Sequence, residues 1–161
     1  MTEELSTYKS RAARALVLLH EKHLRQCLEV WRRAKAANIS LPKTDEEHYQ
    51  SLETLLRHIL GAAGDYMLWI CEKLELPNPE FRPVPKADRI EAEAQGYLEH
   101  LLERWRLPLV NIDDEQLIYP EYASDGGKYH HCVDIMLQHA VMHPIRHEFQ
   151  LRDLMEQQIR G

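Results

Sequence analysis

Apolar residues recur along most of this chain about every 3.6 residues, the spacing of one helix face, in four long segments separated by breaker clusters. The first runs from about Leu5 to Ala37, with Ala12, Leu16, Leu19, His23, Val30 and Ala34 near the period, and Asn38 to Pro42 ends it. The second starts at Thr44 or Asp45, either of which can cap a helix N-terminus. Glu46 and Glu47 then occupy the first turn, where the helix dipole favours acids. Its apolar side reads Leu52, Leu55, Leu56, Ile59, Ala62, Ala63, Tyr66, Ile70 and Leu74. Residues 76–85 hold four of the eight prolines, a density that no helix survives.

A third pattern begins near Ala87, carries Ile90, Ala94, Tyr97, Leu98, Leu101 and Trp105, and stops before Pro108. Residues 107–127 have no long period. Leu109–Ile112 or Leu117–Tyr119 is a candidate short strand there, and Asp125-Gly126-Gly127 is a turn signal. The last helix is expected from about Lys128 to Gln158. Four amphipathic helices of this length predict an all-α four-helix bundle, one domain over residues 1–161. The short first connection makes the first two helices antiparallel neighbours.

Composition narrows the class. The chain carries 44% hydrophobic and 29% charged residues, the profile of a globular protein able to build a core. A net charge of -6 and the lack of a basic stripe interleaved with aromatics argue against nucleic acid as a partner. No run approaches the ~18 apolar residues of a membrane span, and the acidic start Met1-Thr2-Glu3-Glu4 is followed by no signal-peptide core. Cys27, Cys71 and Cys132 are odd in number and lack C-x-x-C spacing, which fits reduced thiols and a cytoplasmic location.

Histidine stands out, with ten copies. His139, His143 and His147 fall at i, i+4 and i+8 on the last helix, so they rise along one side of it. Counting inward positions from Val133 gives Val133, Met136, Ala140, His143, His147, Leu151 and Leu154, which puts His143 and His147 in the apolar stripe and His139 one position beside it. Two imidazoles four residues apart can share one metal. A third ligand should converge from a facing helix, and His58, flanked by Leu55 and Ala62, is the best candidate. Three neutral imidazoles leave a coordination position open, as a catalytic site does. The same pair also fits a purely structural role, because ten histidines make i,i+4 coincidences common. His20 and His23 read as such a coincidence. His130 and His131, before Cys132, read as surface residues more readily than as a second metal site.

Leu56-Arg57-His58-Ile59-Leu60-Gly61-Ala62-Ala63 and His143-Pro144-Ile145-Arg146-His147-Glu148-Phe149-Gln150 together resemble the DinB/YfiT-like metalloenzymes. The resemblance implies an up-down-down-up four-helix bundle, a homodimer, and a divalent metal, zinc or nickel, on His58, His143 and His147. Many relatives read H-x3-H-R-G-Q; here only the Gln, Gln150, is kept, and Pro144 directly follows the first ligand of the pair, where it should bend the helix. Relatives include mycothiol-dependent maleylpyruvate isomerase and bacillithiol transferases.

The leading expectation is therefore a metal-dependent S-transferase or hydrolase that turns a low-molecular-weight thiol or water against a small electrophile. His139 would orient the nucleophile or accept a proton. Arg146 reads as a solvated cation more readily than as an anion contact, and Asp65, two turns after His58, as a pocket wall or ion pair. The alternative is a non-catalytic, metal-stabilised bundle that binds a ligand or a partner protein, with Trp31, Trp69 and Trp105 at a pocket or face. A di-iron carboxylate site is excluded, since no histidine has Glu three residues before it. The zinc-protease pattern H-E-x-x-H fails as well, because Phe149-Gln150-Leu151 follows His147-Glu148.

Overall fold

Ser10 opens the first helix. Its hydroxyl accepts the Ala13 amide at 3.0 Å and donates to Asp114 at 2.6 Å, and helix α1 follows over Arg11–Ala36. The computed structural model describes residues 7–161. The expected start at Leu5 lies outside the described residues, and residues 7–10 are not helical because the Ser10 backbone is extended at the cap.

The second helix, α2, is Leu52–Lys73 and begins later than its first acidic residues suggest. Ser51 accepts the Thr54 amide at 3.0 Å while the Thr54 hydroxyl accepts the Ser51 amide, also at 3.0 Å, a reciprocal cap that outcompetes Thr44 and Asp45. Glu46 and Glu47 therefore precede the helix, and Glu47–Tyr49 forms one tight turn instead. Helix α3, Ile90–Trp105, follows the proline-rich segment.

Neither expected strand forms. Leu117 and Ile118 belong to a short helix, α4 (Asp114–Ile118), opened by an Asp113–Gln116 capping box, and residues 109–112 are turns. The strands lie later: β1 (Tyr122–Ser124) pairs antiparallel with β2 (Tyr129–His131), with Tyr122 opposite His131. The turn signal between them holds, because Gly126 and Gly127 supply the positive φ of 65° and 89° that reverses the chain. Lys128 and residues 129–131 are thus outside the last helix, α5, which spans Val133–Arg160 and continues through Pro144.

The protein is mostly helical, with one two-stranded hairpin. Indole N–H groups tie the long helices together: Trp31 donates to the Leu52 carbonyl at 2.6 Å and Trp105 to the Ala63 carbonyl at 2.8 Å. Both rings are buried anchors, whereas Trp69 is half-buried with its ring edge-on to Tyr122. Further ties are Gln26 to Glu148 at 2.9 Å, Gln158 to the Ala37 carbonyl at 2.9 Å, and Arg25 to Glu99 at 2.5 Å. One apolar cluster centres on Leu24, Trp31, Leu55, Ile59, Leu98 and Leu101; a second centres on Val17, Met67, Ile70, Trp105, Leu137 and Ala140. Among the described residues, no helix is long and apolar enough to cross a membrane.

Candidate metal centre

The inward count along the last helix is reproduced in burial. Val133, Met136, Ala140, His147 and Leu151 are buried, and His143 and Leu154 are half-buried. Two successive histidines therefore interrupt the apolar seam of α5 where it faces α2. His58 meets them there. Its Nε2 lies 3.0 Å from Nε2 of His143. The ring centroids of His58, His143 and His147 are 4.7–5.4 Å apart in pairs and meet edge to face.

Each histidine offers one ring nitrogen to a group whose atoms all lie within 4.8 Å of one another. Nitrogens bound at about 2.0–2.1 Å to one tetrahedral ion sit about 3.4 Å apart, so this group needs only small side-chain adjustments to hold one metal ion. The donor chemistry fits as well. His147 Nδ1 is 3.1 Å from Oε1 of Gln150 and donates to it, which fixes the tautomer and leaves the Nε2 lone pair free.

Burial keeps the three rings neutral, as metal ligation requires. Desolvation, then the neighbouring His48 and His147, pushes His58 down to about 4. Desolvation followed by His147 and His58 pushes His143 down to about 3. His147 is lowered too, chiefly by desolvation, with the Gln150 bond opposing.

Two tyrosines border the cluster: Tyr66 lies edge-on to His143 at 5.9 Å and Tyr49 faces His147 at 6.3 Å. Tyr49 also lines a cavity of 660 Å³ bounded by Lys35, residues 38–44 and residues 50–53. Arg146 is exposed and makes no ion pair among the described residues, yet its charge reaches both His143 and His147. A fourth histidine, His48, stacks on His58 with centroids 4.1 Å apart. Reading a continuous helix through residue 48 would set His48 ten residues, about 15 Å, from His58. The Glu47–Tyr49 turn instead folds it back onto the ring.

The remaining candidates lie elsewhere. His139 is exposed, its ring 5.5 Å from that of His131, outside the three-histidine group. A step of four residues overshoots a full rotation by about 40°, enough to carry His139 off the buried seam. Asp65 is exposed and unpaired among the described residues. Cys132 is half-buried at the start of α5. His20 is completely buried against Trp105, while Cys27 and Cys71 are buried core thiols.

No family model, curated protein or solved structure matches the chain.

Proposed function

We propose that this chain is a DinB/YfiT-like four-helix bundle that binds one divalent metal, zinc or nickel, through His58, His143 and His147 and uses it to act on a small electrophilic substrate. The observation that carries the reading is the convergence of three neutral imidazoles from two helices in an otherwise apolar seam. A buried polar cluster of this kind costs stability unless its lone pairs find a partner, and one cation satisfies all three.

Support for the topology comes from pairs across the helices. Gln26 meets Glu148 and Ala37 meets Gln158, so α1 and α5 run in the same direction. Glu21 meets Arg106 and Arg25 meets Glu99, so α1 and α3 run oppositely. Trp31 meets Leu52 across the short first connection, which sets α2 antiparallel to α1. These directions support the proposed up-down-down-up order.

A divalent ion held by three neutral imidazoles supplies Lewis acidity at its free coordination positions. The protein's own part is to orient and to enclose. Gln150 holds the His147 ring, Tyr49 and Tyr66 wall the approach, and Arg146 supplies an unpaired cation at the rim. A small thiol as co-substrate, a homodimer and a cytoplasmic location belong to the same reading. His139, expected to orient the nucleophile or accept a proton, is exposed and lies outside the three-histidine group.

Metal content measured by plasma mass spectrometry on untagged protein, after dialysis against a weak chelator, tests the site. About one equivalent in the wild type and none in His143→Ala is expected, with thiol-transfer and hydrolase assays to follow. No metal in either protein, and no uptake of added zinc or nickel, would favour a non-catalytic interaction bundle.

A further inference from the structure

His48 and Glu46 sit outside the three-histidine group but are built against it. The His48 ring lies nearly parallel to that of His58, with 18° between the planes and 4.1 Å between the centroids. Its Nε2 is 3.0 Å from a Glu46 carboxylate oxygen. The turn that carries it is held against α2 by the Thr54 hydroxyl, whose one proton is shared between the His48 carbonyl at 3.1 Å and the Ser51 carbonyl at 2.9 Å. Thr54 is also half of the reciprocal cap with Ser51. The sequence Glu46-x-His48-x-x-Ser51-x-x-Thr54-x-x-x-His58 thus lays one imidazole flat on another across the start of a helix.

Resting on the metal-centre reading above, we propose that His48 is a positioning residue of that centre: its ring face, laid flat on the His58 imidazole, braces it in the plane that aims Nε2 at His143.

The physical need is clear from the side chain. A histidine ring turns broadly about its second torsion, and His58 is only half-buried. His143 and His147 both meet it edge to face from α5, whereas His48 stacks flat on it. His48 covers a face at contact distance and removes the freedom to tilt. Its Nε2 is turned to Glu46 and it lies outside the three-histidine group, so it acts as packing surface and not as a fourth ligand. Hydrogen-bonded outer partners that orient a ligand are worth about 10–100-fold in metal affinity, and a stack that fixes the same ring torsion is expected to act on that scale.

The test compares wild type, His48→Ala, His48→Gln and His48→Phe. Zinc affinity is measured by competition with a chromophoric chelator, and the visible spectrum of the cobalt-loaded protein reports ligand geometry. Loss of affinity by about 10–100-fold in His48→Ala and His48→Gln, with altered cobalt bands, is expected. His48→Phe, which keeps a flat ring and has no nitrogen, should bind within a few-fold of wild type with an unchanged spectrum. Glutamine keeps a polar side chain in the turn, so agreement between it and alanine separates the lost stack from a disturbed turn; urea melts of the metal-free proteins check the fold.

Wild-type affinity in both ringless variants would overturn the bracing role while leaving the metal centre intact. A His48→Phe protein as weak as His48→Ala would also overturn it, because the nitrogen and not the ring face would then matter. Failure of the wild type to take up zinc or cobalt at all would remove the metal centre, and this role with it.

Discussion

The Nε2 atoms of His58 and His143 face each other at 3.0 Å although the residues are 85 positions apart in the chain. Both rings are held neutral by burial, so without a cation one must donate to the other. A bound cation would take both lone pairs at once. Added zinc should therefore raise the melting temperature of the wild type and leave His58→Ala and His143→Ala unmoved. At a hundredfold excess over Kd the gain is about 2.7 kcal/mol. The metal-free bundle should stay folded, since both apolar clusters are complete without the site. Thermal melts with zinc and with chelator decide this; an apo protein that unfolds would make the metal structural.

His20 contributes to the acid limit of the fold beside the buried histidines of the three-histidine group. It is completely buried, stacked on Trp105 at 3.7 Å, and neither ring nitrogen has a partner among the described residues. Desolvation pushes it down to about 3 from an ordinary 6.5. The unfolded chain therefore binds the proton first: stability is full above pH 6.5 and declines as the pH falls toward 3. His20→Phe keeps the stack and removes the titration. Urea unfolding from pH 7 to pH 4 should show a shallower loss in the variant, and identical slopes would acquit His20.

Two glycines on the helices should answer differently to a larger side chain. A Cβ at Gly96, on the exposed side of α3, meets nothing within 4 Å, whereas one at Gly64 on α2 meets Phe81 at 3.4 Å and Leu101 at 3.8 Å. Gly96→Ala should stabilise by about 0.5–1 kcal/mol through helix propensity alone. Gly64→Leu should destabilise by about 1–3 kcal/mol through overpacking. Chemical denaturation of each variant provides the numbers.

Glu21 accepts two bonds from Arg106, at 2.5 and 3.1 Å, with both side chains largely buried. Glu21→Ala strands the guanidinium and should cost about 3 kcal/mol. The more exposed Arg25–Glu99 pair is the control: Glu99→Ala, which leaves the 3.5 Å contact between Arg25 and Glu21 in place, should cost no more than about 1 kcal/mol. Equal losses from the two substitutions would mean that burial is not what makes the Glu21 pair matter.

Periodicity is a local property, and what it controls was legible. The four long helices fall where apolar residues recur, and His143 and His147 could be placed in the seam by counting because a regular helix turns a residue number into an angle. His58 was accessible by the same route, lying between Leu55 and Ala62 on the buried side of its helix. Boundaries were less legible because caps compete. Ser51 with Thr54 prevailed over Thr44 and Asp45, and that difference of about two turns took Glu46, Glu47 and His48 out of the helix.

The sequence by itself determined which segments are helical and which faces are apolar, since both follow from nearest-neighbour chemistry repeated along the chain. Only the tertiary structure decided what meets across the seams: His48 on the face of His58, His139 turned toward His131, His20 sealed against Trp105, and strands at residues 122–124 and 129–131. Each depends on contacts between distant segments or on a turn with no period. A histidine carries the same side chain whether it ends in solvent, in a core or beside two others, and packing alone selects among them.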